Sequence, residues 1–219
     1  MIFKDILSFL TQLKENNNKE WFAENKATYQ KLHGDFTLFV EMLINEIAQF
    51  DKSVAGLDAK KCVFRIYRDV RFSKDKSPYK TNFGGFIVPG GKKSGKAGYY
   101  VHLDPDQSFI AGGIYSPESD VLMQLRKFIM DNIDEFFEIT KDDTFKNYYG
   151  DLWGDKLKNP PKGFPADYQH IDILKFKSYT YFKNFTQEEI LNKNFFTEVI
   201  NGFKILAPFQ QFLNSSFEK

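Results

Sequence analysis

Residues 83–115 read FGGFIVPGGKKSGKAGYYVHLDPDQSFIAGGIY, and this stretch decides the fold class. Phe83–Val88, Tyr99–Leu103 and Ser108–Tyr115 are short runs rich in β-branched and aromatic residues, each bounded by turn formers. Pro89–Gly98 reads as a flexible turn and Asp104–Gln107 as a tight one. Connections this short leave no room for a crossover helix, so the strands run antiparallel as a meander.

Upstream, Cys62, Phe64, Ile66, Val70 and Phe72 share one parity and predict a further strand over Cys62–Phe72 with that side toward the core. Asp51–Lys61 reads as a loop. Before it the period is helical. Ile2, Ile6, Phe9, Leu10 and Leu13 mark a first helix ending near Asn16–Asn17. Asn17 with Glu20 resembles a capping box for a second, which carries Trp21, Phe22, Tyr29, Phe36 and Phe39 on to about Phe50, with Gly34 a place to bend or break.

Downstream, Ser116-Pro117-Glu118 predicts a helix start, with serine as cap and proline at the first helical position, and the helix runs to about Ile139. Asn159–Asp167, with three prolines, is a loop. Phe176–Phe182 reads as a fifth strand. Gln187–Leu191 and Phe195–Leu213 read as helices, with Pro208 ending or kinking the last. The expectation is an α+β protein: an antiparallel meander of about four to six strands with helices from both termini packed on it. We read 1–219 as a single domain, with N-terminal helices in 1–50, the sheet in 62–115, a helix over 117–139, and a C-terminal loop, strand and helices in 150–215.

Composition narrows the function classes. A net charge of +1 argues against a globally basic nucleic-acid binder, so any polyanion site is local. One cysteine, Cys62, excludes an internal disulfide and a cysteine-based zinc cluster, and fits a cytoplasmic location. His33, His102 and His170 have no metal-ligand partner at helical spacing, so neither a metal nor a cofactor is expected. Lys4 and Asp5 interrupt the N-terminal apolar residues, which reads as an amphipathic helix rather than a signal peptide, and no run approaches the roughly 20 apolar residues of a membrane span. The expectation is a soluble, unexported protein. Aromatic residues make up 17% of the chain and Phe occurs 25 times, which predicts a Phe-rich core with surplus rings lining a groove.

Chemistry concentrates in residues 64–82, FRIYRDVRFSKDKSPYKTN. Arg65, Arg68, Arg71, Lys74, Lys76 and Lys80 face only Asp69 and Asp75, a local excess of +4. On a regular strand Arg65, Tyr67, Asp69 and Arg71 share one face, with alternate residues roughly 6–7 Å apart. Two guanidiniums at that spacing clamp a phosphate or carboxylate, with Asp69 steadying one of them. Arg68 falls among the core parity, so it is paired with an acid, snorkels to an edge, or sits at a bulge that turns it toward the same site. The plainer reading is a solvated strand with internal ion pairs. Tyr79 and Lys80 complete the anion-binding set, with Lys76 or Tyr79 as proton donor. Gly112 and Gly113, late in a strand and just before a helix start, are secondary candidates, since glycine there permits close approach to the backbone. The alternative is packing of the following helix. His102, alternating with Tyr100 and Asp104, is another, suited to acid–base work. Gly90-x-x-x-x-Gly95-Lys96 copies part of a phosphate-binding loop, but Ala97 has no hydroxyl and a strand follows, so the motif is rejected.

The pattern Arg65-x-x-Arg68-Asp69-x-Arg71-Phe72-x-x-Asp75-Lys76-x-x-Tyr79 resembles the signature of an uncharacterised bacterial family, domain of unknown function (DUF) family 2461. Asn17-Asn18…Trp21-Phe22, Gly112-Gly113 before Pro117, and Pro160-Pro161-x-Gly163-Phe164 with Leu174-x-x-Lys177 resemble it too. The resemblance implies no activity, but it implies that these polar residues are more than a solvated face. Two functions follow as expectations. One is an enzyme or binding protein for a small phosphate- or carboxylate-bearing ligand. The other is a non-enzymatic module that binds nucleic acid or a protein, adding Lys92, Lys93 and Lys96 to the basic surface and stacking bases on exposed tyrosines. Oligomeric state is not legible.

Overall fold

The computed structural model describes residues 2–218. Its sheet has four strands, β1 (Phe83–Ile87), β2 (Gly98–Leu103), β3 (Ser108–Ile114) and β4 (Tyr179–Phe185), in the order β1-β2-β3-β4 with every pair antiparallel. This is the expected α+β meander. The last strand starts three residues later than the alternation of Phe176–Phe182 predicts. The difference is local: Lys175 and Lys177, on either side of Phe176, bond to Leu157 and Asp155 before pairing with β3 begins.

Helix α1 (Ile2–Glu15) buries Ile6, Phe9, Leu10 and Leu13. Helix α2 (Lys19–Glu24) is capped by Asn18, whose side chain accepts from the Trp21 N–H at 2.9 Å. The expected Asn17–Glu20 capping box is therefore off by one, because the Asn17 amide is engaged elsewhere. Helix α3 (Lys26–Ile47) runs through Gly34 unbroken. The Asp51–Lys61 loop contains a 3-10 turn and a four-residue helix, α4 (Ala59–Cys62), capped by Asp51 and Asp58.

The single helix expected over 117–139 is two, α5 (Ser119–Asp131) and α6 (Ile133–Thr140). At the junction the Asn132 backbone and side-chain N–H groups both bond the Phe128 carbonyl, at 3.0 and 2.8 Å. The side chain competes with the next helical turn and the chain breaks there. Ser116 is not a cap. It takes φ +46° and donates its N–H to Ser178 Oγ, so helix formation waits until Ser119. Helix α7 (Asp143–Tyr149) is a further element that the periodicity did not disclose; then come α8 (Ile171–Leu174), α9 (Gln187–Leu191) and α10 (Phe195–Ser215). Pro208 lies inside α10 and does not end it.

Helices α3 and α10 pack on one face of the sheet. Tyr99 meets Phe203 edge-on at 5.2 Å between ring centroids, and Tyr181 meets Phe209 at 5.0 Å. Position 112 has no room for a side chain: a Cβ there would collide with Gln210 Nε2 and Leu206 Cδ2 of α10. Gln210 Nε2 donates to the Gly98 carbonyl at 2.5 Å through that gap. Asn214 clips the next residue, accepting from the Ala97 N–H at 2.9 Å and donating to its carbonyl at 3.2 Å. The opposite face carries Phe86, Tyr100, Phe109 and Phe182, one aromatic from each strand and all half-buried. None of the described helices is long and apolar enough to cross a membrane.

Two glycines in helical and strand contexts separate these effects. Gly112→Ala is expected to lower unfolding free energy by about 1–3 kcal/mol through overpacking. Gly34→Ala, exposed in α3 with nothing within 4 Å of the added methyl, is expected to raise it by about 0.5–1 kcal/mol. Urea titrations of the two variants check both signs.

Candidate functional site

The segment 62–72 is not a regular strand. Phe64 N–H bonds the Gly84 carbonyl at 2.9 Å, whereas Lys80 N–H bonds Ile66 at 2.8 Å and Arg68 N–H bonds Pro78 at 3.0 Å. Between the first two bonds the outgoing chain advances two residues and the returning chain four. The surplus around Thr81–Phe83 breaks the ladder as a bulge on the return side. What remains is an irregular hairpin on the edge of β1, with single bridges at Val63–Gly85 and Tyr67–Tyr79 and an exposed tip. The Asn17 side chain fastens it to the helices: its amide donates to the Tyr79 carbonyl at 2.9 Å and accepts from the Tyr79 N–H at 3.1 Å. The Tyr79 ring stacks on Phe22 at 3.9 Å.

This geometry divides the predicted site. Arg68 pairs with Asp75 and donates to the Ser77 carbonyl at 3.2 Å, so its core-side parity is answered by an acid partner rather than by a bulge. The Ser77 hydroxyl and N–H, then Arg68, hold the Asp75 carboxyl far below the usual range. Arg71 folds back on Asp69 in a two-pronged contact, at 2.9 Å from Nε and 2.6 Å from Nη2, facing solvent. An Arg65–Arg71 clamp across one strand face is thus not formed: the strand is absent and Arg71 is turned onto its neighbour. Lys76 donates to the Val70 carbonyl at 3.0 Å. Tyr79 is buried against Phe22 at the hairpin base, and burial raises its phenol above the ordinary value.

Arg65 and Lys80 are left, and a third cation joins them. Arg65 lies at the ladder break, exposed. Lys80 Nζ sits over the Phe64 ring, 5.2 Å from its centroid. Lys92, from the glycine-rich turn, approaches the same ring at 4.6 Å and donates to the Val63 carbonyl at 2.8 Å. None of the three is in an ion pair with a described carboxylate. Burial, then Arg65 and Lys92, lower the Lys80 ammonium below its ordinary value.

Lys92 also lines a groove of about 890 Å³ over the open sheet face. Its floor is a row of rings crossing the sheet: Phe64–Tyr100, Tyr100–Phe109, Phe109–Phe182 and Phe182–Trp153 are 6.2, 5.8, 6.2 and 5.6 Å apart. Trp153 is held at the far edge by its own N–H bond to the Thr180 carbonyl at 3.0 Å, which extends the sheet past β4. Gly112 and Gly113 form part of the wall through their backbone. Their lack of side chains is also demanded by packing, since a Cβ on Gly113, at φ +118°, would strike the Tyr179 carbonyl.

His102 lies beside the row, stacked on Phe109 at 4.6 Å. Its Nδ1 is 2.8 Å from the Tyr100 hydroxyl and 3.4 Å from the Asn82 amide nitrogen. The phenol reaches it by lying over Gly84, where a Cβ would come within 2.7 Å of the hydroxyl. Burial pushes Tyr100 up to about 12 and lowers His102, so the pair is neutral at pH 7 with Tyr100 donating. The described residues include no group of three or more His, Cys, Asp or Glu placed to hold a metal.

Composition predicts surplus rings lining a groove but not which ones, because an aromatic residue on a strand carries no mark of which face it occupies. The available signal was the shared parity of Tyr100 with His102, and of Phe109 with Ala111.

A family model described as "Conserved hypothetical protein (DUF2461)" matches residues 5–212, nearly the whole chain. No curated protein and no solved structure matches the chain.

The His102 environment predicts a pH dependence. Its folded pKa lies below the unfolded value of about 6.5, so between the two the unfolded chain binds more protons. Stability is therefore fully present above about pH 6.5 and declines as pH falls through the folded pKa. His102→Phe, which keeps a ring against Phe109, is expected to flatten this part of a stability–pH curve measured by denaturant titration.

Proposed function

We propose that this protein, which belongs to the conserved hypothetical protein family DUF2461, binds a small anionic ligand bearing a phosphate or carboxylate. The anion is held by Arg65, Lys80 and Lys92 around the Phe64 ring. The observation that carries this reading is the gathering of two ammonium groups, Lys80 and Lys92, on one aromatic ring, with Arg65 near enough to act on Lys80 and none of the three in an ion pair. Like charges kept together raise the energy of the unliganded site, and clusters with a displaced pKa beside a cleft are functional candidates on that ground. Lys92 spends one ammonium hydrogen on Val63, which leaves two donors for a ligand. Arg68, Asp69, Arg71 and Lys76 shape the hairpin through their mutual bonds and do not belong to the anion-contacting set.

A concave groove next to the cations supports a small ligand over the interaction module, which would call for a continuous basic ridge. Tyr100 lines the groove with His102 behind it, so acid–base chemistry on a bound ligand would run through the Tyr100 hydroxyl, which passes its proton to the neutral imidazole as it takes one from the ligand. The single buried thiol of Cys62 fits a reducing, cytoplasmic setting.

Inorganic phosphate, titrated by calorimetry or by its effect on melting temperature, tests the proposal. Lys80→Gln and Lys92→Gln are each expected to weaken phosphate binding about tenfold, the loss of one charge-assisted hydrogen bond. Arg71→Gln is expected to leave it unchanged. Equal affinity in the wild type and both lysine variants would remove the basis of the reading.

A further inference from the structure

The groove and the cation cluster meet at Lys92 and Phe64, which belong to both. We infer that the anion is carried on a flat aromatic ring system, which lies along the row of rings while its acidic group reaches Lys80 and Lys92. This rests on the anion-binding reading above and specifies what that anion is attached to.

Three features of the groove support a flat aromatic body. Its volume of about 890 Å³ lies in the range of roughly 300–1,000 Å³ typical of small-molecule sites, which suits a compact ligand better than a polymer. Its floor presents five rings at spacings of 5.6–6.2 Å from five separate segments, and flat ligands gain from offset-stacked or edge-on contacts with such rings. Its charge is one-sided: Lys92, Lys93 and Lys96 line it against a single acid, Glu118.

The lysine side is also built rather than incidental. The Asn214 clip on both polar groups of Ala97 fixes the base of the glycine-rich turn, and Gly90, Gly91 and Gly95 take the positive φ angles that let the turn close over the groove. At the opposite edge, Trp153 is half-exposed, stacked on Tyr115 at 6.2 Å and edge-on to Phe182. A ring system entering the groove contacts an indole that reports on its arrival.

The shared chemistry, an acid on a flat ring, has two sources: an aryl carboxylate or a nucleoside phosphate. The test uses Trp153 fluorescence in a Trp21→Phe background, so that one indole remains. The probes are 2-naphthoate, adenosine monophosphate, decahydro-2-naphthoate and inorganic phosphate. We expect at least one of the two aromatic anions to quench Trp153 and to bind about tenfold or more tighter than phosphate, and the tighter of the two identifies the source. 2-Naphthoate is expected to bind about fivefold or more tighter than its saturated analogue. Phe109→Leu, which keeps apolar volume but removes the flat ring, is expected to narrow that difference while leaving phosphate affinity unchanged. Equal binding of 2-naphthoate and its saturated analogue, with adenosine monophosphate no tighter than phosphate, overturns the inference. So does binding of both aromatic anions no tighter than phosphate, provided phosphate still responds to Lys80→Gln, and in that case the anion site stands alone. Loss of all binding, phosphate included, removes both readings.

Discussion

The close approach of α10 to strands β2 and β3 is the constraint on which the rest of the molecule depends. Only a glycine at 112 permits it, and through that gap Gln210 reaches the Gly98 carbonyl. The contact assigns one face of the sheet to the helices. It also leaves the other face, with an aromatic from every strand, as the floor of a groove. Tyr99 and Tyr100 are adjacent in sequence and show the outcome: Tyr99 packs on Phe203 in the core and Tyr100 joins the open row.

Irregular backbone at the two ends of the site is held by the same device. Asn17 bonds both polar groups of Tyr79, and Asn214 bonds both polar groups of Ala97. A side-chain amide offers a donor and an acceptor in one plane, so it completes a backbone pair where no strand is available. The first clip sets the hairpin that carries Arg65 and Lys80. The second sets the turn that carries Lys92. Two segments without regular structure thus converge on Phe64 because helices at opposite ends of the chain grip them.

The charges of residues 64–82 separate according to what the hairpin brings within reach. Each of its two acids takes one arginine, Asp69 with Arg71 and Asp75 with Arg68. These pairs are partly or largely exposed, and exposed pairs contribute little to stability, so their effect is on the shape of the tip. The basic residues at the break in the ladder form no ion pair, since Asp69 is already taken by Arg71. The local excess of +4 is therefore not spread evenly: what remains unpaired beside the groove is Arg65 and Lys80, and the turn adds Lys92.

By itself the sequence determined the α+β class, the antiparallel meander and three of its four strands within a residue or two, because alternation and short turns are local properties. It also determined α9 and the extent of α10. Asn132, Ser116 and the Thr81–Phe83 surplus departed from the local reading because their side-chain or backbone bonds go to partners that periodicity does not name. Tertiary structure alone decided which face of the sheet stayed open, which arginines were neutralised, and that Lys92 joined Lys80 on one ring. The physical reason is the same in each case. A parity or a charge fixes what a residue is suited to, while its partner is chosen by distances that exist only after α10, Asn17 and Asn214 have drawn remote segments together.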